Sequence, residues 1–298
     1  MEKTKDTRPS FRRFLDPYTL FKDSRTPCFV IDKKGLIHDG EILKKVQKNT
    51  GCKILLAQKA FSNFNLYPLL ENYVAGTEAS GLYEARLGKE EMPNKEVHVF
   101  SGAYREEEFD ELLSYADHIV FNSVNQLRKF GKKAKEHGKS VGLRINPECS
   151  TQVGHDIYNP CAPGSRLGVT LKNFKDQMDD ELLSLLDGIH FHTLCQQNSD
   201  DLKTTLDEVE RKFGTYFSSL KWINFGGGHH ITRVDYDIRL LEDCIRHIQD
   251  TYHVQVYLEP GEAVVLDAGF LVTKVLDTFD NGNYHIAILD TSAACHMP

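Results

Sequence analysis

Eight short apolar runs recur along the chain with amphipathic stretches between them, and this rhythm limits the possible folds more than any other feature. The runs lie at 53–60, 73–77, 96–101, 118–123, 140–146, 188–194, 222–226 and 254–259. Between them, 81–90, 105–116, 124–137, 199–217 and 235–250 carry apolar residues at helical spacing. Strands that are apolar on both faces belong to parallel sheets covered by helices. Eight of them in alternation with helices predict a closed (β/α)8 barrel of the TIM type, with a doubly wound open sheet as the alternative.

The flanks break the rhythm. Residues 1–26 are polar, with a helix expected around Phe11 to Phe21, and Thr26–Asp32 reads as a strand opened by Pro27. Ile37–Asn49 reads as an amphipathic helix through Ile42, Leu43 and Val46. Residues 263–276 and 284–290 are β-branched and apolar without intervening helices, which predicts antiparallel strands. The expected organisation is a barrel at 37–263 inserted in a partial β domain made of 1–36 and 264–298. Few residues follow 284–290 to finish that domain, so the sequence reads as C-terminally truncated. Inside the barrel, 147–187 is longer than an ordinary crossover and holds Pro147, Pro160, Pro163, Gly164 and Gly168. It predicts an irregular loop, then a helix at 172–186, at the end of the barrel where loops line active sites.

A formal charge of −7 argues against nucleic acid or an anionic membrane as the principal partner. Seven scattered cysteines, none in a Cys-x-x-Cys pair, read as reduced thiols of a cytoplasmic protein rather than a disulfide framework or a zinc site. The polar start carries no secretory signal, and no apolar run reaches the length of a membrane span.

Barrel enzymes place their chemistry at the C-terminal ends of the strands. There the first run ends in Lys59, the second in Thr77-Glu78-Ala79-Ser80, the fifth in Arg144 and Asn146, the sixth in His190 and His192, the seventh in Gly226-Gly227-Gly228 and the eighth in Glu259-Pro260-Gly261. Lys59 is either a strand-end lysine reaching water or an amine in a cleft, its pKa open to depression, able to form a Schiff base with an aldehyde. Triple glycine is either a flexible turn or a cradle whose amides approach a phosphate without a Cβ in the way. Glu259 is a loop-start salt bridge or, if the ligand is pyridoxal phosphate, the carboxylate that keeps the pyridine nitrogen protonated. His192 is a core histidine or a ring lying flat against that cofactor. His190-x-His192 and His229-His230 also fit a metal-dependent hydrolase, but such a site wants more acidic ligands at other strand ends, and it leaves the lysine and glycines unexplained. No metal is expected.

Taken together, Lys59 after its apolar strand, Gly188–Cys195, Asn224–His230 and Leu258–Ala263 resemble the fold-type III, alanine-racemase-like pyridoxal phosphate decarboxylases. His192-Thr193-Leu194-Cys195, Gly164-Ser165-Arg166-Leu167-Gly168 and Asp290–Pro298 are most similar to the carboxynorspermidine/carboxyspermidine decarboxylases within them. The resemblance runs from Thr26 to the end. It implies that Lys59 carries pyridoxal 5'-phosphate as an imine, that His192 stacks on its ring, and that Gly226, Gly227, Gly228 and Gly261 bind its phosphate. Glu259 would pair with the ring nitrogen and Arg144 would lie near the ring, while Arg166 and Glu262 would serve the substrate. Ornithine decarboxylases have an arginine where this chain has Glu262, a departure toward the carboxynorspermidine enzymes. The implied activity is decarboxylation of carboxynorspermidine or carboxyspermidine to norspermidine or spermidine, by a homodimer with shared active sites. The alternatives are a diaminopimelate or ornithine/arginine decarboxylase, or a non-catalytic cofactor-binding homologue or fragment.

Overall fold

The computed structural model describes residues 21–152 and 159–296. Strand β1 (Cys28–Ile31) leads into helix α1 (Lys33–Thr50), and the barrel strands follow. They are β2 (Lys53–Ala57), β3 (Gly76–Ala79), β4 (Glu96–Phe100), β5 (His118–Phe121), β6 (Ser140–Arg144), β7 (Gly188–His190), β8 (Trp222–Asn224) and β9 (Gln255–Leu258). Each pairs in parallel with the next, and β9 pairs back to β2, so the ring has no open edge. The closed barrel holds and the open sheet is excluded.

Residue types sort by the two-residue period of the strand. Ile54, Leu56, Val97, Val99, Ile119, Phe121, Val141, Leu143, Ile189, Ile223, Val256 and Leu258 form one alternate set, and none shows more than trace exposure. This set packs outward under helices such as α8 (Ser199–Phe217) and α9 (Ile238–Tyr252), whose Leu202, Leu206, Val209, Phe213 and Leu241, Ile245, Ile248 are buried. The other set fills the ring: Leu55, Val120, Trp222 and Tyr257, from four different strands, meet in one cluster. Gly142, Gly188 and Trp222 lie side by side in register on β6, β7 and β8. A Cβ at either glycine would overlap the indole, so two strands give up their side chains to admit one large ring. The Trp222 indole N–H donates to Ser140 Oγ at 2.8 Å, which satisfies its one polar atom.

The structure departs from sequence expectation at two places in the barrel. The run expected as a strand at 73–77 is shifted: Tyr73–Ala75 lead in, and the strand is Gly76–Ala79. Ladder pairing of Thr77 with Leu56 and Val97 set the register here, not local apolarity. The helix expected at 172–186 is two, α6 (Leu171–Gln177) and α7 (Asp180–Leu185), because the Asp179 carboxylate accepts the Leu182 N–H at 2.9 Å and starts a new helix. The long loop leaves β6 after Asn146 and is stitched back to the rim by Val169, whose N–H donates to Arg144 O. The helix expected around Phe11 falls, but for Phe21, outside the described residues.

Asp39–Val264 form one compact unit, and the described residues before and after it form another. In the latter, β1 pairs antiparallel with β10 (Gly269–Val272), and β11 (Val275–Asn281) forms a hairpin with β12 (Tyr284–Leu289). The expected antiparallel strands are there, and both faces of the hairpin are largely exposed.

Candidate active site

The inward-facing set that fills the barrel becomes polar at the C-terminal rim. Phe100, Arg144, His190 and Glu259 continue the alternation begun by His98, Gly142, Gly188 and Tyr257. The Arg144 guanidinium lies 4.6 Å from the centre of the Phe100 ring, which itself stacks on His190 at 5.4 Å. Burial lowers the Arg144 pKa to about 10, so it stays a cation at neutral pH. Glu259 is almost wholly buried, yet its two carboxylate oxygens each have a donor: Asn224 Nδ2 at 2.6 Å and His190 Nε2 at 3.0 Å. Burial opposes its charge, but His190 and Lys59 outweigh burial and hold the carboxyl below its usual range. His190 is itself pushed down by burial, so the pair is best described as an ionised Glu259 facing a neutral imidazole that donates through Nε2.

Lys59 lies two residues beyond β2, in the turn closed by Ala60 N–H to Ala57 O. Its Nζ is 3.1 Å from Glu78 Oε2, at the end of β3. The expected route to a depressed lysine is overturned. Burial does favour the neutral amine, but the carboxylates of Glu78 and Glu259 more than offset it and raise the Lys59 pKa. Glu78 is the more buried partner, and burial pushes its carboxyl up to about 7 despite the ammonium beside it.

Gly226 and Gly228 adopt φ of 70° and 83°, a region that side-chain-bearing residues rarely enter. A Cβ at Gly227 would come 2.7 Å from Glu259 O, and one at Gly261 would come 2.5 Å from the Ala60 Cβ. The turn is held from below by Asn224, whose Oδ1 accepts the Gly226 N–H at 2.8 Å while its amide holds Glu259. His192 joins it from the side, Nδ1 accepting the Gly227 N–H at 3.4 Å. Burial and the nearby Arg144 and Lys59 charges push its pKa well down, which leaves a neutral ring.

Two cavities meet on these groups. One, of about 210 Å³, is lined by Gly227, Gly228, Gly261 and Glu262; the other, of about 370 Å³, by Glu78, Phe100, Arg144 and Arg166. Lys59, His192 and Glu259 line both. Arg166 and Glu262, read together as substrate contacts, are therefore at different ends. Two members of the rim had no role assigned from the sequence. Glu78 stands among the expected end residues of the second strand, but its pairing with Lys59 depends on the register of β2 with β3. Asn224 opens the Asn224–His230 stretch, but its role depends on strands that are neighbours only in the folded barrel.

His190 and His192 are engaged by Glu259 and by Gly227, not by each other, which removes the support for a metal-hydrolase reading. At the opposite end of the barrel, Glu96, His98 and His118 come within 4.8 Å of one another among the described residues. Lys53 already holds the Glu96 carboxylate there, and Lys135, Lys139 and Lys221 line the adjoining cavity of about 450 Å³, a setting hostile to a cation.

No family model matches the chain. The carboxynorspermidine/carboxyspermidine decarboxylase of Campylobacter jejuni is 42% identical over 278 residues, spanning 93% of this chain and 70% of that protein. The carboxyaminopropylagmatine decarboxylase of Synechocystis is 36% identical, spanning 92% and 69%. The crystal structure of carboxynorspermidine decarboxylase from Campylobacter jejuni, complexed with norspermidine, matches with a TM-score of 0.83 at 41% identity, over 92% of this chain and 70% of that one. Diaminopimelate decarboxylases are more distant, the one from Aquifex aeolicus being 27% identical. With a barrel of the same architecture and this identity across nearly its whole length, the chain belongs to the carboxynorspermidine/carboxyspermidine decarboxylase family.

Proposed function

We propose that the chain uses pyridoxal 5'-phosphate to decarboxylate carboxynorspermidine or carboxyspermidine, giving norspermidine or spermidine. The reading is carried by one observation: a lysine amine and a buried, ionised glutamate line both of two joined cavities, one of which is walled by a glycine cradle. The residues fit the cofactor. The cradle has room only because Cβ atoms are missing, and Glu259 keeps its charge in a nearly dry site, where a protonated pyridine nitrogen gains most from it. When bound, the cofactor supplies an electron sink for the carbanion left by loss of carbon dioxide.

The chain's own residues divide the remaining work. Lys59 would hold the cofactor through its aldehyde carbon. Glu78 takes or shares the ammonium proton that Lys59 must lose before it can act as a nucleophile. His192, neutral and fixed by Gly227, offers a flat face. Arg144 and Arg166 give the second cavity its positive end, suited to the departing carboxylate, while Glu78 suits the substrate's amines. A homodimer acting in the cytoplasm is part of the same reading, supported by the resemblance and by free thiols at all seven cysteines. No helix among the described residues is long and apolar enough to cross a membrane.

Purified protein mixed with the cofactor is expected to show the absorbance band of a lysine Schiff base, which borohydride reduces onto Lys59, and to release carbon dioxide from the carboxylated triamine faster than from diaminopimelate or ornithine. Absence of the band, or label on another lysine, defeats the assignment.

A further inference from the structure

The glycine-lined cavity has an electrostatic problem. A phosphate brings about two negative charges at neutral pH, and among the described residues Lys59 is the only lysine or arginine lining the cavity. Lys59 is committed to Glu78, and to the cofactor's aldehyde when that is bound. The two other charged residues lining it are Glu259 and Glu262, both of the wrong sign. Backbone amides of the cradle contribute partial charge, but a free carboxylate beside a phosphate would cancel much of it.

His230 resolves this. It lines the same cavity and is largely buried. Its Nε2 lies 3.2 Å from Glu262 Oε2, and its Nδ1 is buried with no partner among the described residues. Glu262 is fixed in turn by Gln196, whose amide donates to the same oxygen at 2.6 Å. The backbone locks the arrangement, since Gln197 N–H donates to Gly228 O and His230 N–H donates to Gln197 O. The neighbouring His229 makes a useful contrast: its Nε2 faces a backbone carbonyl, Phe225 O, and burial lowers its pKa to about 4, so it is a neutral packing residue. Of the three histidines lining this cavity among the described residues, His192, His229 and His230, it is His230 that has a carboxylate on one ring nitrogen and an unmet requirement on the other. Protonated, it would donate to Glu262 through Nε2 and to a phosphate oxygen through Nδ1.

We propose that the Glu262–His230 pair is the phosphate anchor of this site, with His230 as the donor to the phosphate and Glu262 as the residue that positions it. The assignment rests on the pyridoxal phosphate reading and makes Glu262 a cofactor-end residue rather than a substrate contact.

The test compares binding of pyridoxal 5'-phosphate with binding of pyridoxal, which has the same aldehyde and no phosphate, by absorbance titration of the full chain. In His230→Gln and His230→Ala, phosphate-ester affinity is expected to fall at least tenfold while pyridoxal affinity stays within twofold. Glu262→Gln should lose affinity for the phosphate ester in the same direction, about three- to fivefold, and His230→Lys should recover most of it. The ratio of the two affinities is read on the same folded fraction, so partial loss of fold does not obscure it. An unchanged ratio in His230→Gln overturns the proposal, as does equal loss of both ligands or a Glu262→Gln effect confined to the substrate's KM. If the unaltered protein binds neither aldehyde, the cofactor reading itself has failed, a result separate from a change in the ratio.

Discussion

The Lys59 ammonium sits 3.1 Å from the Glu78 carboxylate, with the carboxylate almost wholly buried and the lysine side chain half exposed. The pair spans β2 and β3, adjacent strands whose register puts Ala57 beside Glu78. This pairing favours the protonated amine, and in the proposed reaction Glu78 would govern when Lys59 becomes a nucleophile.

Glu78→Gln removes the nearer of the two carboxylates that raise the Lys59 pKa. The amine's pKa therefore falls, and more of it is neutral at pH 7. We expect Lys59 to react with free pyridoxal faster, on the order of tenfold for each pKa unit lost, with the pH midpoint of the reaction moving down. Stopped-flow absorbance across pH 6–9 reads both; a midpoint that moves up contradicts the role given to Glu78.

Glu259→Gln keeps the shape of the rim but removes the charge that Asn224 and His190 stabilise. Carbon dioxide release is expected to fall by at least about hundredfold, the scale of losing one preorganised electrostatic contact in a dry site, with cofactor affinity reduced far less. Asn224→Ala strips a donor from Glu259 and an acceptor from Gly226 N–H together. It should lower stability by roughly 1–3 kcal/mol and weaken cofactor binding as the glycine turn loosens, seen in thermal melts with and without cofactor.

Gly188→Ala drives a methyl group into the Trp222 indole. Overpacking of this kind costs about 1–3 kcal/mol, and the thermal midpoint should drop accordingly. Combining it with a smaller ring at position 222 should recover part of the loss, because the two positions are neighbours in register.

Glu96 has a pKa lowered to about 2. Burial works against this, but hydrogen bonds from His98 and Lys53 outweigh it. A carboxyl depressed in the folded state contributes stability above its unfolded pKa, and that contribution is lost as pH falls from about 4.5 toward 2. Glu96→Gln should therefore be less stable at neutral pH by roughly 2 kcal/mol, allowing for solvent screening, and should show a flatter acid limb in urea melts. An unchanged acid limb would mean that Lys53 and His98 do not stabilise this carboxylate.

The strand count, the parallel arrangement and the identity of the rim were legible because they follow from local chemistry. A doubly buried strand must be apolar on both faces, and a strand end in a barrel of this kind is where polar residues are tolerated and useful. Lys59, His192, the three glycines and Glu259 were legible on those grounds. Glu78 was legible as a strand-end residue of β3 but not as the partner of Lys59. Register is fixed by pairing with β2 and β4, which no local window contains.

By itself, then, the sequence determined an eight-stranded barrel, its insertion between flanking antiparallel strands, and the order of an amine, a histidine, a glycine turn and a glutamate around the rim. The tertiary structure alone decided how these groups are charged. Ionisation depends on which carboxylates and donors lie within a few ångströms once distant strands are neighbours, and on how little water remains between them. Lys59 beside Glu78 and Glu259 between Asn224 and His190 are such meetings, made between strands and invisible along the chain.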